Sequence, residues 1–332
     1  MGIPPGTVHM EDGPLVVSAL RVDPPERSVH FHLSLGEVTE SGVVQAPSHP
    51  SPEELRALTS LLPKLNTPKF TVVPGPGLDH GWVWEQGSID LGCTPFSQAV
   101  NQPIAEVLPE GDGEREIRRF IDDSIDLLSG QELNRIRVGE GQPRLNLVWP
   151  WGPGFRARVP SLALRRGIIV AYRSDSLRLA GLVRLAGYQF SGPLPGKVLD
   201  PDWAAWRHPS RGHEIAVVPG PGLARAENRP DHAQWMIEKF DREFLPRFDV
   251  PRDRAELRLV LIAPDGGVAP ENAAESSRPG GLAVFFDPRH RLSSTIPWDE
   301  RAFDEPRVPR QHLWETVDSA LSDVWPWLSA SA

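Results

Sequence analysis

Histidine residues stand close to one another or beside aspartate at several points in the chain, and such pairs can bind metals or transfer protons. His30 and His32 alternate within a strand-like segment, so both point to one face and can bind a metal when a third ligand approaches. Asp231 precedes His232 but also stands directly before a periodic apolar run, where we expect it to cap a helix. No arrangement of Cys and His residues has the spacing of a zinc site.

Two tryptophans, Trp149 and Trp151, lie in a stretch that begins at Asn146 and ends at Gly154 in a glycine-rich turn. They alternate with Pro150 and therefore point to the same face if a strand continues through them. That face forms either a packed interface between domains or an aromatic platform beside a pocket. Interface packing is the favoured interpretation.

The elements that must position these residues show a strand and helix pattern. Ser51 precedes a proline and is followed three residues later by Glu54, which together predict a helix start with a capping box. From residue 167 onward, short apolar runs alternate with longer amphipathic ones, which favours a largely parallel sheet with helices on its faces. We predict helices at 51–62, 115–128, 174–186, 231–244 and 311–328 and strands at 29–35, 70–73, 81–84, 145–149, 168–172, 215–218, 257–262 and 282–286.

The heptapeptide VVPGPGL occurs twice, at 72–78 and at 217–223, each time after a predicted strand. Proline and glycine pairs are common turn formers, and the flanking sequences differ. We interpret the repeat as recurring turn chemistry and not as a duplicated domain.

Composition limits the classes of function. The chain has 332 residues, a net charge of −9 and scattered basic residues, which argues against nucleic-acid binding. No apolar run is long enough to cross a bilayer, the N-terminus lacks a secretory signal, and Cys93 has no cysteine with which to pair. We expect two domains, a cytoplasmic location and a small-molecule or protein partner.

The stretch from Asn146 to Gly154 resembles the Asn-x-Ile-Trp-x-Trp-Gly-x-Gly segment of the archaeal-type cofactor-independent phosphoglycerate mutases, which are metalloenzymes of the alkaline phosphatase superfamily. Further segments, at 75–84, 91–95, 103–111 and 179–187, resemble that family in the same order. The resemblance implies an α/β fold with a reduced alkaline-phosphatase-like core, its sheet mostly parallel, at 1–23 and 163–332. It also implies an inserted α+β domain at 24–162.

Family members hold two divalent metals, such as manganese or zinc, and a serine that accepts the phosphoryl group. This chain departs from that pattern. The residues before Gly13 are too few for the family's first metal-binding Asp and its serine, unless Asp12 substitutes. A later metal motif is replaced by the segment at 219–226, and the Pro-Asp-His motif becomes Pro264-Asp265-Gly266. We therefore expect no catalytic residue and no bound cofactor, with Asp265 as a weak remnant of a metal site.

The inserted domain keeps more of the family pattern. Asp79 and His80 stand where the family has an Arg-His pair that faces the phosphorylated substrate. Replacing the arginine with an aspartate exchanges an attraction for a phosphate with a repulsion, so that anion should bind poorly. Arg156 matches a family arginine, and Arg158 follows it. The candidate ligand-binding residues are His80, Asn146, Trp149, Trp151 and Arg156.

These observations favour a phosphoglycerate mutase-like protein that has lost phosphoryl transfer. It would bind a small phosphorylated or carboxylate metabolite, or serve as a regulator or partner of another protein. One alternative is a divergent metal-dependent phosphoglycerate mutase or phosphatase. Another is a protein interaction module without a ligand, a role that the exposed-looking Trp203 and Trp206 would also suit.

Overall fold

The computed structural model describes residues 10–47, 50–156, 159, 161, 170–207, 213–226, 229–248, 259–263 and 282–286, and these form a mixed α/β fold. The α-helices are α1 (Asp12–Ala19), α2 (Pro52–Leu61), α3 (Phe96–Ala99), α4 (Ile104–Val107), α5 (Glu114–Ser129), α6 (Glu132–Gly139), α7 (Leu177–Leu185), α8 (Gly220–Ala226) and α9 (Pro230–Glu243). The strands are β1 (Ser28–Val38), β2 (Val44–Gln45), β3 (Phe70–Val73), β4 (Asp79–Glu85), β5 (Leu91–Gly92), β6 (Glu110–Gly111), β7 (Leu147–Gly154), β8 (Val170–Arg173), β9 (Gln189–Gly192), β10 (Gly196–Lys197), β11 (Asp200–Pro201), β12 (His213–Ala216), β13 (Leu259–Ala263) and β14 (Leu282–Phe286).

An antiparallel sheet centred on β1 is the largest in the described part of the chain. β1 pairs with β4 and with β7, β3 pairs with the far side of β4, and β2 pairs with the end of β1. The apolar Phe31 and Leu33 and the polar His30 and His32 are all buried. Because successive residues of a strand point to opposite faces, both faces of β1 are covered by protein.

An aromatic cluster joins this sheet to α5. The ring centroid of Trp82 lies 5.1 Å from that of Phe31, 4.7 Å from that of Phe70 and 4.1 Å from that of Phe120. The buried residues of α5 recur every three or four positions, as the sequence predicts for one helical face. They are Ile117, Phe120, Ile121, Ser124 and Leu128.

The predicted capping box at the start of α2 is confirmed. The Glu54 backbone N–H donates to the Ser51 hydroxyl oxygen at 3.2 Å, and the Ser51 N–H donates to the Glu54 carboxylate at 2.6 Å. The other Glu54 oxygen accepts from the buried Arg137 guanidinium at 2.7 Å. Burial alone would raise the Glu54 pKa, but the bonds from Ser51 and Arg137 outweigh it and hold that pKa below its usual value.

Close backbone contacts hold α1 between the antiparallel sheet and α7. A Cβ on Gly13 would collide with the His30 carbonyl oxygen and lie 2.6 Å from the Gly152 carbonyl oxygen. A Cβ on Gly181, in α7, would collide with the Leu15 carbonyl oxygen of α1. Glycine is therefore required at both positions, because any side chain would push α1 away from its neighbours.

A small sheet contains the parallel pairing. β8 and β9 are parallel and joined by α7, and β12 lies on the other side of β8. The strands β13 and β14, which we predicted in a largely parallel sheet, instead pair with each other in antiparallel register. An antiparallel pair needs no crossover helix between its strands.

Contacts divide the chain into two compact units. The larger contains Val8–Pro193 and Glu214–Val217, and the smaller contains Leu194–His213 and the described residues from Val218 onward. The larger unit extends across both predicted domain boundaries, because α1 packs on the antiparallel sheet and α7 packs on α1. The boundaries at residues 23 and 162 stay a prediction.

In the smaller unit, the expectation that Trp203 and Trp206 are exposed is wrong. They are 2% and 4% exposed and pack with Phe240 and Phe244, with 5.0 Å between the ring centroids of Trp203 and Phe240. Stacking in this cluster removes both indoles from solvent, which the local sequence does not reveal.

The helix predicted at 231–244 is also present, with a different start. Arg229 is its N-cap residue and Pro230 its first residue, so Asp231 lies inside the first turn and is not the cap. Proline is suited to this position because its missing N–H would have no partner within the helix.

In the described part of the chain, no helix is both long and apolar enough to cross a membrane. The helix predicted at 311–328 lies outside the described residues.

We expect Gly181→Ala to lower the free energy of unfolding by at least about 2 kcal/mol, because the new methyl group overpacks the contact between α7 and α1. Gly139→Ala in α6 is the matched control, since no atom lies within 4 Å of its added Cβ. That variant should be neutral or up to about 1 kcal/mol more stable. Urea denaturation measures both, and equal effects of the two substitutions would contradict the proposed close packing.

We expect Arg137→Met to lower the free energy of unfolding by about 1 to 3 kcal/mol, because the partly exposed Glu54 and the Pro143 carbonyl oxygen would both lose the guanidinium that bonds them. Arg135→Met provides the control, since Arg135 pairs with Glu132 at 3.1 Å while the two side chains are 70% and 72% exposed. Its cost should stay below about 1 kcal/mol. Urea denaturation again provides the measurement, and a loss in Arg137→Met as small as in the control would mean that the buried pair contributes nothing.

Candidate functional site

A cavity of ≈ 380 Å³ opens beside the first turn of α1 in the larger unit. This volume falls within the range of about 300 to 1,000 Å³ that is typical of small-molecule sites. Three segments contribute to its wall: the start of α1, the region around β5 and the end of β7. Its lining includes Glu11, Asp12, Ile89, Cys93, Trp151 and Gly152.

The glycine-rich end of β7 allows this cavity to form. Gly152 has a φ of +59°, a left-handed conformation that side-chain-bearing residues rarely adopt. A Cβ on Gly152 would lie 3.1 Å from the Cβ of Asp12, and a Cβ on Gly154 would lie 3.2 Å from the Cβ of Glu11. The start of α1 can therefore lie directly against the strand. Glu11 and Asp12, at that start, then share the cavity wall with Trp151.

A chain of contacts fixes Trp151. Its indole N–H donates to the Ser34 hydroxyl oxygen at 2.9 Å, and its ring centroid lies 4.5 Å from that of His32. The His32 Nε2 atom in turn lies 2.8 Å from a carboxylate oxygen of Asp79. Trp151 lines the cavity, and its N–H is already engaged by Ser34.

Trp149 has a packing role, whereas Trp151 borders the cavity. It is fully buried, packs in an apolar cluster with Ile121 and Leu147, and donates its indole N–H to the Thr94 carbonyl oxygen at 2.9 Å. Trp151 packs at the edge of the same cluster. The motif thus places one tryptophan in the interior and the next at a cavity.

The charged groups at the cavity are mainly acidic. Asp12 accepts a bond from the Arg178 guanidinium at 2.6 Å, and the Glu11 side chain shares the wall. Burial raises the pKa of the Cys93 thiol to about 12, because the thiolate would lose its water. Cys93 therefore stays protonated and contributes neither a nucleophile nor a negative charge.

His80 lies in the interior. It is fully buried, and its Nδ1 accepts a hydrogen bond from the Gly75 N–H at 2.9 Å, while its Nε2 has no hydrogen-bond partner. Burial lowers the pKa of His80 to about 4, an effect that the nearby charge of Asp79 only partly opposes. Because of this low pKa, His80 is neutral at neutral pH. It is not among the residues that line the cavity.

Asn146 and Arg156, the remaining candidates that the structure describes, make other contacts. The Asn146 amide is 3% exposed and bonds both the N–H and the carbonyl oxygen of Val38, at 2.9 and 3.2 Å. Arg156 donates to Asp23 at 2.9 Å in a pair with 52% and 95% exposed side chains. Asn146 thus joins β7 to β1, and Arg156 makes a solvated surface pair. Arg158 and Asp265 lie outside the described residues.

The described residues do not fit a metal pair. His30 Nε2 lies 3.0 Å from the Ser28 hydroxyl, and burial together with the charge of Arg156 lowers the His30 pKa to about 4. The Nε2 of His32 is engaged by Asp79, and Asp12 is engaged by Arg178. Across the described residues, no group of three or more His, Cys, Asp or Glu side chains is arranged to hold a metal ion.

Comparison with known proteins relates this chain to one group of enzymes. It is 27% identical over 323 residues to a probable 2,3-bisphosphoglycerate-independent phosphoglycerate mutase of Geobacter sulfurreducens, covering 91% of this chain and 79% of the relative. It is also 27% identical to the 2,3-bisphosphoglycerate-independent phosphoglycerate mutase of Methanosarcina mazei, over 321 residues and the same shares of both chains. No family model matches the chain.

The chain is a distant homologue of the archaeal-type 2,3-bisphosphoglycerate-independent phosphoglycerate mutases. A solved structure, the PH0037 protein of Pyrococcus horikoshii, shares the fold with a TM-score of 0.52 at 13% identity. The match covers 79% of this chain and 65% of that one. The resemblance seen from the tryptophan motif is thereby confirmed over most of this phosphoglycerate mutase homologue.

Of the candidate ligand-binding residues, the structure brings only Trp151 to the cavity, and the binding role of all five stays a prediction. Sequence reasoning did not find Glu11 or Cys93 as wall residues. The available signal was the glycine-rich turn at 152–154, since closely spaced glycines often mark a close approach of another backbone. That signal does not identify which segment approaches.

We expect the phosphoglycerate mutase homologue to lose stability as the pH falls from about 6.5 to about 4. The pKa values of His30 and His80 are about 4 in the folded state against an ordinary value of 6.5, so the unfolded state binds protons first as the pH falls. Each histidine should remove up to about 3 kcal/mol at pH 4 relative to pH 7.5. Urea denaturation across this range measures the loss.

The matched variant for this prediction is His80→Asn, whose side-chain oxygen can still accept from the Gly75 N–H but does not titrate. Its free energy of unfolding should fall clearly less between pH 7.5 and 4 than that of the unaltered chain. Curves that remain parallel would exclude His80 as a source of the acid instability.

Proposed function

We propose that this chain is a phosphoglycerate mutase-like protein that does not transfer phosphoryl groups and instead binds a small molecule in the cavity beside α1. The proposal includes a core related to alkaline phosphatase, as the resemblance implies, and a cytoplasmic location, as the sequence analysis favours. The observation that supports it most directly concerns Asp79 and His80, which stand where the resemblance implies contact with a phosphorylated substrate. The charge and the hydrogen bonds of these two residues do not suit a phosphate.

Neither residue is suited to hold a phosphate. His80 is buried and uncharged at neutral pH, with a pKa of about 4, and its Nδ1 already accepts from Gly75. Asp79 carries a carboxylate in place of the family's arginine and is bonded to His32. A phosphate would therefore meet an anion and a neutral ring where recognition normally uses charge-assisted hydrogen bonds.

Asp12, the carboxylate considered as a substitute for the family's first metal ligand, is also engaged. The Asp12 side chain is 14% exposed and holds Arg178 at 2.6 Å. A metal at this position would have to displace the guanidinium and would then leave Arg178 beside a cation. These contacts support a binding role over phosphoryl transfer by this site.

The test is a coupled assay for the interconversion of 3-phosphoglycerate and 2-phosphoglycerate with added Mn²⁺ or Zn²⁺. We expect turnover no faster than in buffer and no stoichiometric metal in the purified chain, with the Methanosarcina mazei relative as the positive control. Turnover together with tightly bound metal would establish the rival enzyme function instead. A thermal melt beforehand shows that the protein is folded at the assay temperature, so that absent turnover does not reflect unfolding.

A thermal-shift screen tests the binding half of the proposal and separates it from the interaction-module alternative. The screen contains phosphorylated acids, simple carboxylates and amines, applied to the full chain. A rise in Tm with one of these classes supports a ligand site, because a ligand that binds only the folded state stabilises it. No shift with any class would favour an interaction module.

A further inference from the structure

We propose that Arg21 and Arg184 form a binding site for a phosphate group at the adjoining ends of α1 and α7. This site lies at the opposite end of α1 from the cavity, which borders Asp12 at the start of that helix. Because α1 has eight residues, its two ends are about 12 Å apart. The phosphate site is therefore separate from the cavity of the proposed function and does not depend on it.

The helices α1 and α7 lie side by side and run in the same direction. Arg178 at the start of α7 pairs with Asp12 at the start of α1, and Gly181 packs against the middle of α1. Near the other end, the Arg184 guanidinium donates to the Ser18 carbonyl oxygen at 3.4 Å. The last turns of the two helices therefore adjoin.

Arg184 is held in place but is not neutralised. Its guanidinium bonds the Ser18 carbonyl oxygen, and its central carbon lies 5.6 Å from the centroid of the Phe190 ring. Neither partner carries a negative charge. Burial, and after it the charge of Arg21, lowers the pKa of Arg184, so the two cations are near enough to repel each other. A guanidinium has five N–H donors and stays protonated, so most of its donors are still free to bind an anion.

Arg21 supplies the second cation from an unusual backbone position. It follows the end of α1 with a φ of +59°, a left-handed conformation that glycine adopts without steric cost. A role in ending the helix would favour glycine here, whereas a role in binding an anion needs the guanidinium. Arg21 is exposed, and in the described part of the chain neither it nor Arg184 forms an ion pair.

The surroundings do not cancel this positive charge. Asp23, the acidic residue nearest to Arg21 in the sequence, is paired with Arg156, and the formal charges of Glu26 and Arg27 balance each other. The ends of α1 and α7 carry partial negative charges of about half a unit each, which offset only part of two guanidinium charges. A phosphate group brings a charge of about −2 and several acceptor oxygens, which suits two guanidiniums at one place.

Isothermal titration of the full chain with inorganic phosphate tests the proposal. Sodium chloride at the same ionic strength provides the reference for nonspecific effects of charge. Glycerol 3-phosphate is the second probe and shows whether the site accepts a phosphate ester or only the free ion. We expect at least one of the two to bind at least about tenfold more tightly than chloride.

The variant Arg21→Gly separates anion binding from a purely structural role. It removes the guanidinium and supplies the residue that a φ of +59° favours, so its Tm without phosphate should stay the same or rise. Its affinity for phosphate should nevertheless fall at least about fivefold. Stability and binding would then change in different directions, which a helix-ending role does not predict.

Two further variants locate the site. Arg184→Gln should also weaken phosphate binding at least about fivefold. Arg119→Gln is the charge-matched control on α5, where Arg119 pairs with Asp123 at 3.7 Å and is 83% exposed, and it should leave the affinity unchanged. If Arg184→Gln melts early, Arg21→Gly alone provides the test.

The proposal is overturned if neither phosphate compound binds more tightly than chloride, or if Arg21→Gly binds them as tightly as the unaltered chain. The same variant separates this site from the cavity, because a phosphorylated ligand that still binds to Arg21→Gly is held elsewhere. Loss of phosphate binding in that variant would leave the cavity function in place. Phosphoglycerate mutase turnover would contradict only the proposed function.

Discussion

The structure depends on the close approach of α1 to its neighbours, which is possible only because glycines stand at the contacts. Gly13 lies against the His30 and Gly152 carbonyl oxygens, and Gly181 lies against the Leu15 carbonyl oxygen. Side chains at these positions would separate α1 from both the antiparallel sheet and α7. The same contacts bring Glu11 and Asp12 to the cavity that Trp151 also lines, so the packing constraint also shapes the cavity.

Local signals predicted the elements that local interactions stabilise. The capping box at Ser51 and the apolar face of α5 are both present, because each depends on residues three or four positions apart. The two copies of VVPGPGL mark the limit of such reasoning. One copy joins β3 to β4, whereas the other leads into α8 at Gly220–Ala226. The same seven residues adopt different structures because their tertiary surroundings differ, and short sequences do not specify those surroundings.

The candidate site was predictable only in part for the same reason. Alternation placed Trp149 and Trp151 on one side of a strand, and both pack at one apolar cluster. Which of them borders a cavity is decided by the arrival of α1 from a distant part of the sequence. His80 shows a similar limit, since a histidine in a recognisable motif suggested ligand contact, and its complete burial could not be read from that motif. Burial of a polar residue depends on packing from several elements, which no local pattern reports.

The polar side chains that hold the antiparallel sheet together differ from those that line the cavity. Asn146 bonds both backbone groups of Val38, and Asn134 bonds the backbone of Leu128 and Leu145, so these polar side chains act as parts of the scaffold. Their bonds remain whatever ligand the protein binds. The cavity wall instead includes Glu11, Asp12 and Trp151, none of which makes those bonds. A fold can therefore persist while the residues at its candidate ligand site change.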